Sequence, residues 1–362
     1  VFVSSLFTPA GVDVSFIARF RQIHAELERQ GIPAFDMRDE GHLENIFVGA
    51  TGADPDGQPP RNEAPLTWLE NDSTRPRVIQ APGEASRIRY FLDGTQRTLR
   101  ALYCDNLPIV VGVVGAAVIR RDDDGRLHVV PGMVGFKRFW VAPRRAHKYD
   151  LDRLLSVLED AGEEIVDPLE KFSEDRYAAE LADFGGVIEH AFKRVGVIRQ
   201  ELEQALVLRW NDEIGDHDGM LLVDGPLRAP VTGAIGLVKS FTRQYVSGAE
   251  SATLFRLKHG ERTAAFSVTD GWRSDTPVQV WYQRHWDATG RDPRHALIRI
   301  ELFDGWVDHP SFDDVSAWVL RERLPAARAD ARWATLLYPI HHLEEVLKGE
   351  LEAQTRGWSA NV

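Results

Sequence analysis

Cysteine is nearly absent from this chain: Cys104 stands alone among 362 residues. One thiol makes no intrachain disulfide and no cysteine-based zinc site. Such usage suits a reducing compartment, and we expect a cytoplasmic protein. No apolar run approaches the length of a membrane span. The nearest, Leu107 to Ile119, contains Pro108, Gly112 and Gly115 and reads as a strand. No signal-peptide pattern is present in the residues given. There is no internal repeat, no low-complexity tract and no P-loop Gly-x-x-x-x-Gly-Lys-Ser/Thr, so any ATP-driven motor must come from a partner. Positive charge is also short: 43 Lys and Arg face 55 Asp and Glu, a net charge of −12. That argues against a coat protein for nucleic acid, but a local basic channel can coexist with an acidic outer surface.

What is present is ordinary for a soluble globular protein: 43% hydrophobic and 27% charged residues, enough for one elaborated domain or two. Two stretches carry the chemistry, Ile88-Arg-Tyr-Phe-Leu-Asp-Gly-Thr95 and Met220-Leu-Leu-Val-Asp-Gly-Pro-Leu227. In each, a short apolar run stops on an Asp-Gly. A buried strand delivers a carboxylate to a sheet edge in this way, and the glycine permits a sharp turn or a close approach. Two such carboxylates can share a divalent metal, the usual tool for cutting phosphodiesters. Asp-Gly occurs seven times, at Asp56, Asp93, Asp124, Asp218, Asp224, Asp270 and Asp304, and most such dipeptides are plain turns. Only Asp93, Asp224 and Asp304 directly follow strand-like runs, and Asp304 is read as a turn residue.

Along the chain, Phe16, Ile17, Phe20, Ile23 and Leu27 recur at helical spacing, so residues 1–35 contain an amphipathic helix that packs on the body or on a second subunit. Residues 50–87 read as a long irregular connection. Strands are expected at Arg87–Leu92, Ile109–Arg120 and Leu127–Trp140, the last broken at Pro131-Gly132, with a turn at Asp122–Gly125. Helices follow over 150–210, then the strand Met220–Val223. Val231–Tyr245 reads as a loop and a helix. Strands at 264–268, 278–286 and 295–302 and helices at 312–323 and 341–354 close the chain. Strand, strand, strand, helix, strand is the opening order of an RNase H-like α/β fold, in which the first and fourth strands lie side by side. Many mixed α/β domains begin likewise.

Taken together, these residues resemble the NurA nucleases, RNase H-like, manganese-dependent DNA nucleases that work with the HerA hexameric translocase. Asp93-Gly94-Thr95 is similar to that family's first Asp-Gly-Ser. Arg199-Gln-Glu-Leu-Glu203 resembles its helical Arg and Glu, and Leu221-Leu-Val-Asp-Gly-Pro-Leu227 its second Asp-Gly-Ser-Leu. Ala234-Ile-Gly-Leu-Val-Lys-Ser240 is similar to its lysine-bearing segment, Ile298-Arg-Ile-Glu301 to a late strand, and Tyr338-Pro-Ile-His-His-Leu343 to a terminal Tyr-Pro segment. The likeness covers residues 86–355 and rests on order and spacing. Thr95 keeps a hydroxyl where the family has Ser, and Pro226 loses one.

The resemblance implies an RNase H-like mixed sheet flanked by helices, in a nuclease domain over 86–355 behind an N-terminal helical and irregular extension over 1–85. Asp93 and Asp224 would be the central ligands of Mn²⁺ or Mg²⁺, with Glu203 reaching the site from the long helix and Glu201 as the alternative. His342 would be a further catalytic residue, with His341 in its place if the register slips. Lys239 and Arg243, four apart and sharing a face if helical, would hold the phosphate backbone of DNA. Phe136 to Lys148 interleaves aromatics with cations, as a single-strand path does. Phe136 and Trp140 share a strand face and read as core, leaving Arg144, Arg145 and Lys148 for DNA. The expected activity is metal-dependent phosphodiester hydrolysis by a homodimer acting with a HerA-like ATPase, in DNA end processing or defence against foreign DNA. The rival readings are a catalytically silent adaptor that docks a translocase or clamps DNA, and a small-substrate phosphoesterase.

Overall fold

The computed structural model describes residues 16–32, 34–36, 66–239, 244–269, 276–289, 291–303, 310–325 and 331–356. Its first elements are α1 (Phe16–Arg29), β1 (Ala34–Asp36), β2 (Leu66–Trp68) and β3 (Arg77–Val78). Three long strands follow, β4 (Ile88–Cys104), β5 (Leu107–Arg121) and β6 (Leu127–Val141), then α2 (Tyr149–Asp160), β7 (Ile165–Val166), α3 (Glu174–Leu181) and α4 (Phe184–Glu213). The chain continues through β8 (Met220–Asp224), β9 (Ala234–Val238), α5 (Gly248–Arg256), β10 (Glu261–Arg262), β11 (Phe266–Val268), β12 (Val278–Arg284) and β13 (Leu297–Phe303). It closes with α6 (Phe312–Arg321) and α7 (Tyr338–Gln354). This is an α/β protein: one large mixed sheet, flanked by seven helices among the described residues.

The sheet order is β2-β11-β12-β13-β9-β8-β4-β5-β6-β7, with β1 on β4 and β10 on β12 and β3. The long hairpins β4–β5 and β5–β6 are antiparallel, whereas β4–β8 and β8–β9 are parallel. Alternation along the strands divides the core between two faces. Leu92, Ala116 and Leu221 meet Leu206, Val207 and Trp210 of α4 on one face. On the other, Phe91, Ala117 and Leu222 meet Val315 and Trp318 of α6 and Leu343 and Leu347 of α7. Further along, α1 buries Phe20, Ile23 and Leu27 with Leu151, Leu154 and Leu158 of α2 over Leu99, Val111 and Trp140. The apolar stripe of α1 is thus covered by its own chain.

Three local expectations are corrected. The first strand does not stop at Asp93. It stays paired to β5 through Asp93↔Ala117 and Gly94↔Ala116 and runs on to Cys104, because the further residues find ladder partners, with one register shift between Arg100 and Leu102. Ala234–Val238 is a strand, parallel to β8 and antiparallel to β13, with every residue of its run buried. A short, wholly apolar run has no period to separate helix from strand. Pro131-Gly132 bends β6 without breaking it: the register to β5 shifts between Ala117 and Ile119, Gly132 takes φ +78°, and Arg209 donates to its carbonyl at 2.6 Å. Within the expected irregular connection, β2 and β3 join the sheet, while residues 50–65 lie outside the described residues.

Candidate active site

The β4–β8 ladder ends at Leu92↔Val223. Asp93 and Asp224 are the next residues on these adjacent parallel strands, and both have the parity of Phe91 and Leu222, whose side chains meet α7. Asp93 is 4% exposed and accepts a hydrogen bond from the Gly94 N–H at 2.8 Å. Burial first, then repulsion from Asp224, hold the Asp93 carboxyl well above the usual range. Lys239 opposes this, and Glu203 and Glu344 add to it.

Beyond Asp224 the chain must turn, and Gly225 supplies φ +129°. The loop is held from below by Glu301 of β13, which is fully buried. It accepts from the Leu227 N–H at 3.1 Å and from Arg299 Nε at 2.9 Å. Glu301→Ala strips both bonds from buried partners and should cost about 3 kcal/mol of stability. Urea unfolding would measure it, and a midpoint unchanged from wild type would show that the loop is held otherwise.

Gly94 has a different task from Gly225. It keeps a strand backbone, and its bare face lies under α4: a Cβ there would come within 2.9 Å of Glu203 Cγ and Cδ. Register places Gly94, Ala116 and Gly135 in one row across β4, β5 and β6. A Cβ on Gly135 would likewise strike Leu202 Cδ1 at 2.6 Å. A trough of small residues therefore seats α4 low enough for Glu203 to sit directly on the sheet. The Glu203 carboxyl is bonded by Arg199, one turn earlier, which also donates to the Gly94 carbonyl and to Gln96 Oε1, each at 3.2 Å. Burial raises the Glu203 carboxyl to about 7, against Arg199 and with help from Asp224. Glu201, the alternative, is exposed and pairs with Arg194. Glu203 and Asp224 line one groove, open to solvent, together with Arg199, Gln200, Gln204 and Arg228.

From the opposite face α7 contributes Glu344. It lies on the buried stripe set by Ile340, Leu343, Leu347 and Leu351, and its charge is felt by both Asp93 and Lys239. Lys348 bonds it at 2.9 Å. Burial works against ionisation here, but Lys348 first, then Lys239 and His341, hold its carboxyl below the usual range. Sequence reasoning missed Glu344; a charge four residues after Ile340, on an apolar helical stripe, was the available signal. His342 is exposed and stacks on Tyr338. His341 is half-buried, with Nδ1 4.0 Å from Glu344 Oε2 and its ring edge-on to Trp333.

Lys239 leaves the end of β9 and places Nζ 2.7 Å from Asp224 Oδ2. It is a buried member of the cluster, not a surface cation on a helix. Arg243 and Asp304 lie outside the described residues. Arg144, Arg145 and Lys148 sit beyond the end of β6. Asp93 aligns with Ala117 and Val134, so Val141 is already about 20 Å further along the sheet. Arg144 pairs with Glu159. Arg145 pairs with Glu174, donates to the carbonyls of Leu169, Glu170 and Phe172, and covers the Tyr177 ring. Lys148 is exposed. Phe136 and Trp140 pack in the core, Trp140 stacked on Phe20.

The donor set suits a hard divalent cation: carboxylate oxygens, no thiolate, and in Asp93 a buried carboxylate to which no basic side chain is hydrogen-bonded among the described residues. Among the described residues, however, no three carboxylate or imidazole groups already converge as a metal cage, and Lys239 and Arg199 lie on two of the acids. No family model matches the chain, and no curated protein matches it either.

Proposed function

We propose that this protein is a metal-dependent DNA nuclease with an RNase H-like core, of the NurA type. The observation that carries the reading is the meeting of Asp93 and Asp224 just past the end of the parallel β4–β8 ladder, with Glu203 delivered over Gly94. The strand order β9-β8-β4-β5-β6, with β5 alone running against the other four, supports it, since this is the RNase H-like arrangement. Asp93, Asp224 and Glu203 would hold Mn²⁺ or Mg²⁺, which when bound supplies Lewis acidity to the phosphodiester. Arg199 and Arg228 line the groove beside these acids and would orient the phosphate backbone. By the same resemblance the protein is a cytoplasmic homodimer that works with a HerA-like hexameric ATPase, in end processing or defence. No described helix is long and apolar enough to cross a membrane.

The adaptor reading has its own support: Lys239 already neutralises Asp224, and Pro226 lacks the family's hydroxyl. Cleavage of end-labelled linear and circular DNA, single- and double-stranded, with Mn²⁺, Mg²⁺ or EDTA separates the two. We expect EDTA-sensitive cutting that falls about 100-fold or more in Asp93→Ala and in Asp224→Ala. A wild type that cuts nothing, even with a HerA-like ATPase and ATP, makes the adaptor the better description.

A further inference from the structure

We propose that the Lys239 ammonium is a resident second cation of the carboxylate cluster, so that the site takes one divalent ion per chain and not a pair. This rests on the nuclease reading above. Two-metal phosphodiesterases hold their ions about 4 Å apart between shared carboxylates. Here one of the two oxygens of Asp224, one of the two strand-borne carboxylates, is held by Lys239 Nζ at 2.7 Å. The lysine side chain is 16% exposed and feels Asp93 and Glu344 as well as Asp224. It comes off the end of β9, a strand buried along its whole length between β8 and β13, so its root is fixed.

The other acids are also matched. Arg199 bonds Glu203 and Lys348 bonds Glu344, which leaves Asp93 as the carboxylate of this cluster to which no cation is hydrogen-bonded among the described residues. A second ion bound at Asp224 would meet the positive charge of the Lys239 ammonium across the same carboxylate unless Lys239 withdrew. An ammonium donates three hydrogens, and one spent on Asp224 leaves two for a phosphate oxygen. Lys239 would thus do from within the protein what a second ion does elsewhere.

The test is a count of Mn²⁺ bound to the full chain, by electron paramagnetic resonance titration with Mn²⁺ alone. Asp93→Asn supplies the background from the acidic surface. We expect one Asp93-dependent Mn²⁺ in the wild type and in Lys239→Arg, and two in Lys239→Met. Two in the wild type overturn the proposal and leave the nuclease reading standing, whether or not Lys239→Met folds. One in a folded Lys239→Met, verified by circular dichroism, also overturns it. No Asp93-dependent Mn²⁺ in any form removes the metal reading beneath it.

Discussion

Asp93→Asn raises the thermal midpoint of the metal-free protein and abolishes its stabilisation by Mn²⁺. Most substitutions at a buried site destabilise; this one removes a cost. Charging Asp93 is costly in this dry position facing Asp224, Glu203 and Glu344, with Lys239 in opposition. Asparagine has the same shape, and its amide oxygen can still accept from the Gly94 N–H. The gain should be about 2 kcal/mol, or several degrees in the midpoint. The sign carries over to pH. The Asp93 and Glu203 carboxyls are raised, Glu203 from about 4.5 to about 7, so the folded chain holds protons that the unfolded chain releases. The stability that Glu203 contributes is fully present below about 4.5 and is lost as pH rises through about 7, and Asp93 acts in the same direction. Melts in EDTA between pH 5 and 8 should show the wild type losing stability upward through this window and Asp93→Asn losing less. A variant less stable than wild type in EDTA at pH 8 would mean that Asp93 is well compensated in the folded state.

Gly94→Ala is expected to damage both stability and the site. The added carbon would overlap Glu203, whose helix cannot rise because Leu202 is seated on Gly135 and Leu206, Val207 and Trp210 are buried beside it. Overpacking of this kind costs about 2 kcal/mol. It should also displace the Glu203 carboxyl and with it Mn²⁺ affinity and cleavage. The clash is with one side chain, so the effect should be coupled to it: Gly94→Ala in a Glu203→Ala background should cost about 1 kcal/mol less than in the wild type. Urea unfolding of the four proteins closes the cycle. Additive penalties would show that Gly94 serves its own backbone and not the seating of Glu203.

Much of the architecture was legible because its signals are local. The helical spacing of Phe20, Ile23 and Leu27 and of Val195, Ile198, Leu206 and Trp210 marked α1 and α4, and the turn at Asp122–Gly125 marked the β5–β6 hairpin. Residue type also pointed to Asp93 and Asp224, since a carboxylate after an apolar run is uncommon. What failed had no period or depended on partners. β9 is apolar at every position, so pattern could not separate strand from helix. The cations Arg144 and Arg145 looked available for DNA, yet they are held by Glu159 and Glu174 at the far end of the sheet. Such pairs join residues about 15 and 29 apart and leave no mark at either one.

The amino-acid sequence by itself determined that this is a cysteine-poor, acidic α/β chain with two strand-borne aspartates and a long helix between them. Period and residue type decide those things within a few neighbouring residues. Only the tertiary structure decided which acids meet. The parallel pairing of β4 with β8 aligned Asp93 with Asp224, and the row Gly94–Ala116–Gly135 lowered Glu203 onto the sheet in preference to Glu201. Packing of α7 on the opposite face brought Glu344, and β9 set Lys239 on Asp224. Each of these depends on register and helix depth, which are set by long-range packing and not by any stretch of the chain read alone.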